Sequence, residues 1–259
     1  MREGYLQALA YTFSDVSYWL YLMTFCCMTL AFYVVTNVET SVFSIVKYGL
    51  SKTDLEGTRR SYMENTLWFL TPAFVFGLIY ALVVERWGKR WIIAVIATAI
   101  MSIGCAVMLP IPKCNQGDDD CVWHFAPFFL VGVGHAFTHT ILLSLLPYIA
   151  HPYSLATCLG FMLSISISSQ SIYMSFEGSD DALERWQFEL DDELGKVEAV
   201  SSILGTAALF FGGLLFLHDR TMRDGALSGK STQEMYVRGE RWLVKREAHY
   251  PVLFNLRMG

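Results

Sequence analysis

Six apolar runs dominate the 259-residue chain: Tyr18 to Ile45, Tyr62 to Val84, Trp91 to Ile111, Phe125 to Tyr148, Tyr153 to Tyr173 and Val197 to Leu217. Each is long enough, at about 1.5 Å per helical residue, to cross a hydrocarbon core about 30 Å thick. Within lipid the backbone has no water to bond, and a helix satisfies it inside the run itself. Composition agrees, with 54% apolar and 17% charged residues. The expectation is an all-α multi-pass membrane protein, with six transmembrane helices in one domain over residues 18–218. An N-terminal interfacial segment, 1–17, precedes it, and a basic tail, 219–259, follows.

An even number of spans returns both termini to one side. Twelve of the 19 Lys and Arg residues fall on that side, in the N-terminal segment, the connection between the second and third runs, and the tail. Basic residues favour the cytoplasmic face, so the termini are expected in the cytoplasm or its topological equivalent. Met1 to Asp15 shows no continuous apolar core before a small-residue cleavage site, so no cleavable signal peptide is expected, and it lacks the Arg-rich, acid-poor character of a transit peptide. Tyr5, Leu6, Leu9 and Phe13 can share one face of a helix lying in the membrane interface, although the segment reads equally well as an extension of the first span. None of Asn37, Asn65, Asn115 and Asn255 begins an Asn-x-Ser/Thr sequon. That favours a membrane outside the secretory route.

The connection between the second and third runs reads Ala-Leu-Val-Val-Glu-Arg-Trp-Gly-Lys-Arg, from Ala81 to Arg90. Glu85, Arg86, Lys89 and Arg90 crowd charge at a membrane boundary, and Gly88 permits a sharp reversal. This spacing, small-x-x-x-acid-basic-x-Gly-basic-basic, resembles the signature loop of major facilitator superfamily transporters. Ala81 stands where that family usually has Gly, and Glu85 where it usually has Asp. A second stretch, Leu-Ala-Thr-Cys-Leu-Gly-Phe-Met from Leu155 to Met162, resembles a helix start in the carboxyl-terminal half of facilitators, especially the endolysosomal orphan-type branch. The resemblance covers roughly Tyr18 to His218. It implies a three-plus-three inverted repeat and a complete transporter made of two six-helix halves that rock about a central site, of which this chain would supply one.

Polar residues inside the runs are the candidate site. Asn37 and Glu39 lie in the first run, where Glu39 is the only full charge. A carboxylate in a span is costly and is functional by default, unless it sits at the far end and is hydrated. His135 and His139 of the fourth run stand one turn apart on one face. That spacing suits a metal, a solute or proton path, or two packing histidines, but no third ligand is placed by the sequence and no metal is expected. The neighbouring Gly132 and Gly134 read as points of close helix approach. In the fifth run Gln170 belongs to a polar series from Ser164 to Ser171 that does not suit lipid. The resemblance makes the first and fourth spans cavity-lining, so Glu39, His135 and His139 would face the path; Asn37 and Gln170 complete the set of candidates for contact with a solute or proton.

Between the runs, Lys47 to Ser61 reads as a solvated connection. Cys114 and Cys121 bracket Asn-Gln-Gly-Asp-Asp-Asp opposite the termini and form a small disulfide ring if that compartment is oxidising, two thiols if it is not. Cys26, Cys27, Cys105 and Cys158 lie within runs and read as buried free thiols. Ser175 to Glu198 carries nine acidic residues against Arg185 and Lys196. It reads as a solvated loop or as an acidic docking surface for a basic partner. In the tail, Ser231 with Glu234 makes a capping box for a basic amphipathic helix bearing Trp242, suited to a membrane surface or a partner protein.

No nucleophile–base arrangement, complete metal set or phosphate loop is evident, so an enzyme is not expected, nor a cofactor or a nucleic-acid partner. Two functions remain. The leading one is an accessory or structural subunit of a larger membrane complex, with transport lost. Its partners would be the bilayer and other membrane subunits, met through the spans, the acidic stretch 175–198 and the tail, and the mitochondrial inner membrane is favoured over an endolysosomal one. The alternative is a solute transporter, with or without proton coupling, that pairs with itself or with a complementary half.

Overall fold

The computed structural model describes residues 2–36, 55–87, 90–108, 125–137, 142–177, 190–223, 225 and 227. A helix α1 (Arg2–Phe13) is followed by six more: α2 (Val16–Val34), α3 (Leu55–Trp87), α4 (Arg90–Met108), α5 (Phe125–Phe137), α6 (Leu155–Glu177) and α7 (Leu190–Met222). Every regular element among the described residues is helical. Five of the six spans are long and apolar enough to cross a membrane, while α5 is apolar but shorter. Beyond residues 138–141 the chain resumes in a helical turn, Leu143–Leu145, and two tight turns, Leu146–Tyr148 and Pro152–Ser154.

The first span does not begin at the N-terminus. Asp15 accepts a hydrogen bond from the Ser17 N–H at 2.9 Å, an N-cap that starts α2 afresh after α1 has ended. α1 is therefore a helix of its own rather than an extension of α2. Its buried face carries Ala8, Tyr11 and Thr12, while Tyr5 and Leu6 are exposed.

Two connections read as solvated loops are partly helix. α3 begins at Leu55, so the second half of Lys47 to Ser61 continues the second span, and α7 begins at Leu190, inside the acidic stretch. Each helix has 33 residues, about 50 Å at 1.5 Å per residue, and so overhangs a core of about 30 Å. A helix that leaves lipid keeps its backbone bonds, so polarity alone does not end it. In α7 the sequence also places Asp191, Asp192 and Glu193 in the first turn, where negative charge favours a helix.

The packing carries an internal symmetry. α2 lies along α7 and, over a smaller seam, along α6; α5 lies along α4 and α3; α4 and α7 pack on each other. Exchanging the first three spans for the last three converts the α2–α7 contact into α5–α4 and the α2–α6 contact into α5–α3. The α4–α7 contact maps onto itself. These are the contacts of a three-plus-three inverted repeat.

Apolar side chains cover the outside as well as the core: Phe74, Leu78 and Leu82 on α3, Ile96 and Ile103 on α4, and Ile203 and Phe210 on α7 are exposed. With lipid outside, hydrophobicity does not choose the inward face, and small residues and hydroxyls do. A Cβ at Gly132 would run into the Phe69 carbonyl and Pro72 of α3, and one at Gly134 into Ala97 and Met101 of α4. The two glycines serve opposite faces of α5 and bring both neighbours close. Ser102 Oγ donates to the Gly205 carbonyl at 2.6 Å across α4–α7, and the Thr29 and Ser166 hydroxyls bond at 2.7 Å across α2–α6.

Candidate functional site

His135 lies near the end of α5, 8% exposed, with its ring stacked on Phe32 of α2 and close to Phe69 of α3, which itself packs on Phe32. Gly132 and Gly134 pull α5 in close, and so the imidazole is carried into an aromatic slot between three spans. Among the described residues no group of three His, Cys, Asp or Glu residues comes together to hold a metal. His135 is thus packed against aromatic rings of α2 and α3.

A second polar constellation lies at the end of the bundle where α3 gives way to α4. Arg90, the last residue of the signature loop and the first of α4, donates to the Tyr148 hydroxyl at 3.0 Å and lies over its ring, 5.3 Å from the centroid. Arg223, just past α7, donates to the backbone carbonyl of the same tyrosine and is 1% exposed. One turn earlier, the buried Asp219 carboxylate accepts the Leu227 N–H at 3.0 and 3.2 Å. Gly225, at φ 70°, returns its N–H to the Asp219 carbonyl at 2.9 Å. That left-handed residue turns the chain back so that Leu227 enters the core. Two guanidinium groups from distant parts of the chain thus converge on one tyrosine and join the third and sixth spans to the connection between the fourth and fifth. Ser17 Oγ bonds His218 Nδ1 at 3.1 Å, tying the start of α2 to the same end of α7.

The sequence had counted Arg223 only for its charge and had assigned Asp219 to the tail, closing the sixth span at Leu217. The helix runs on to Met222. Its continuation past His218 and Asp219 into basic residues, with a glycine beyond, was a visible C-terminal signal.

The other candidates fall as follows. Gln170 is half-buried on α6. In its series Ser166 faces inward to Thr29, while Ser164, Ser168 and Ser171 are exposed. The series is thus split between two faces. In the signature loop Ala81 and Arg86 are exposed, and Glu85 is in the last turn of α3. Cys105 and Cys158 are buried free thiols, and Cys26 and Cys27 are half-buried ones. Asn37, Glu39, Gly88, Lys89, Cys114, Cys121, His139, Ser231, Glu234 and Trp242 lie outside the described residues. His135 and Gln170 are the described members of the expected path; His135 is on α5 against α2 and α3, and Gln170 is on α6.

A six-span bundle with inverted-repeat packing and a charged sequence between its second and third helices defines a polytopic membrane protein of transporter architecture. The family model of the Major Facilitator Superfamily matches residues 2–173, and the chain belongs to that superfamily. Neither a curated protein nor a solved structure matches it.

Proposed function

We propose that this facilitator-type bundle serves as an accessory or structural subunit of a larger membrane assembly, its transport function lost. The observation that carries the reading is the outer face of α6. Ser164, Ser168 and Ser171 are exposed at intervals of four and three residues, on one line of a span that also exposes the apolar Leu163 and Ile167. Ser171 Oγ donates back to the Ile167 carbonyl at 3.0 Å, and such a hydroxyl keeps acceptor lone pairs that lipid cannot engage and a neighbouring helix can. The stacked, buried His135 supports the loss of transport, since a histidine closed in by aromatic rings is removed from a solute path. The absence of an Asn-x-Ser/Thr sequon favours the mitochondrial inner membrane over an endolysosomal one.

The second reading, a solute transporter completed by a copy of itself or by a complementary half, is favoured by the superfamily match and by the half-buried Gln170 beside the serine line. Native mass and composition of the particle extracted in mild detergent separate the two. The accessory reading expects a particle many times heavier than one chain, with unrelated subunits at fixed ratio. Ser164→Leu with Ser168→Leu should release this chain from it, while His135→Phe leaves it in place. A particle of one or two chains, or of this chain with another six-helix half, would overturn it.

A further inference from the structure

We propose that α1 is a strap that holds the fifth span against the first, and that releasing it lets the start of α6 swing outward about Gly160. The seam it would guard is light. Among the spans α6 packs along α2, and less extensively than its symmetry mate α3 packs along α5. Hydrogen bonds that cross it are Tyr18 Oη to the Cys158 carbonyl at 3.0 Å and the Thr29–Ser166 pair.

α1 adds a dense set of contacts at one end of that seam. The Thr12 hydroxyl donates to the Ala8 carbonyl, meets the Ser154 hydroxyl at 3.0 Å and accepts the His151 N–H at 3.1 Å. The Tyr5 and Thr157 hydroxyls bond to each other. The Tyr11 ring sits edge-on to His151, and Phe13 sits edge-on to both Tyr18 and Phe161, bridging the two spans. All of these partners on the α6 side fall between His151 and Phe161, in the turn that leads into α6 and its first two turns. Beyond Phe161 the seam continues through the Thr29–Ser166 hydroxyl pair.

Gly160 lies at the edge of the strapped region. A Cβ there would meet nothing within 4 Å, so close packing inside this chain does not require glycine. A glycine inside a helix weakens it relative to alanine, which leaves a soft step between the pinned turn and the lightly packed body of the span. Movement there would open the seam at the strapped end and expose the Tyr18 hydroxyl and the Cys158 thiol, both buried in the closed form.

Cys158 is a native reporter. In the full chain in detergent, the rate at which a water-soluble maleimide modifies Cys158 would be measured by peptide mass mapping, with the buried Cys105 of α4 as internal standard. Tyr5→Phe with Thr12→Val keeps side-chain size but deletes the hydroxyls. It should speed modification of Cys158 by about tenfold, the effect of roughly one net hydrogen bond, and leave Cys105 unchanged. Adding Gly160→Ala should slow it again. An unchanged Cys158 rate would overturn the strap, as would a parallel rise at Cys105, because α1 would then stabilise the whole bundle rather than one seam. No slowing by Gly160→Ala would overturn the hinge.

Discussion

At Gly132 a single hydrogen atom sets how closely the second and fourth spans approach. A methyl group there meets the backbone carbonyl of Phe69, which has no rotamer by which to retreat. Gly132→Ala should therefore cost about 1–3 kcal/mol, read as a lower midpoint of thermal unfolding in detergent. Gly212→Ala is the control, because its nearest neighbour, the Thr24 methyl, is at an ordinary 3.7 Å. Arg223 is the other residue on which much depends. Arg223→Met removes the donor to the Tyr148 carbonyl at a buried position, and a loss of about 1.5–3 kcal/mol is expected from one charged hydrogen bond. The exposed Arg220→Met should change stability little in the same measurement.

At the scale of elements, helix ends differ in how they are held. α2 starts on the Asp15 cap, and α7 ends in a hook closed by Gly225 and by the Asp219 carboxylate on the Leu227 N–H. Because Gly225 sits at φ 70°, Gly225→Ala should cost about 1–2 kcal/mol, and the loss should be local. Hydrogen exchange at the Leu227 amide should accelerate, while amides in the middle of α7 keep their protection. The signature loop shows a similar division of labour. Its charges were legible from spacing, but the work of Arg90 is seen only where Tyr148 arrives from the fourth-to-fifth connection.

At the scale of the whole molecule, the inverted-repeat contacts leave the second and fifth spans most exposed. Only 17% of the apolar window of each is buried inside this chain, against half for α2 and α4. The two spans are symmetry mates, yet they differ in chemistry: α3 shows lipid-like Phe74, Leu78 and Leu82, and α6 shows a line of serines. An assembly partner is therefore expected on the α6 side. Cross-linkers placed at Ser168 should capture another subunit, and those placed at Leu78 should capture none. Capture from Leu78 alone would reverse the assignment of the docking face.

The sequence by itself determined the number of spans, the membrane class, the superfamily and the role of Gly132 and Gly134, because length, hydropathy and side-chain size act locally along a chain. It did not determine which side of each helix faces inward. In lipid the outer surface is as apolar as the core, so the periodicity that marks a buried stripe in water is weak, and the stacking of His135 on Phe32 and near Phe69 is seen only in the fold. Nor could spacing join Arg90, Tyr148 and Arg223, which are 58 and 75 residues apart. Their meeting depends on three separate helix ends reaching the same side of the bundle, and only the tertiary structure decides that.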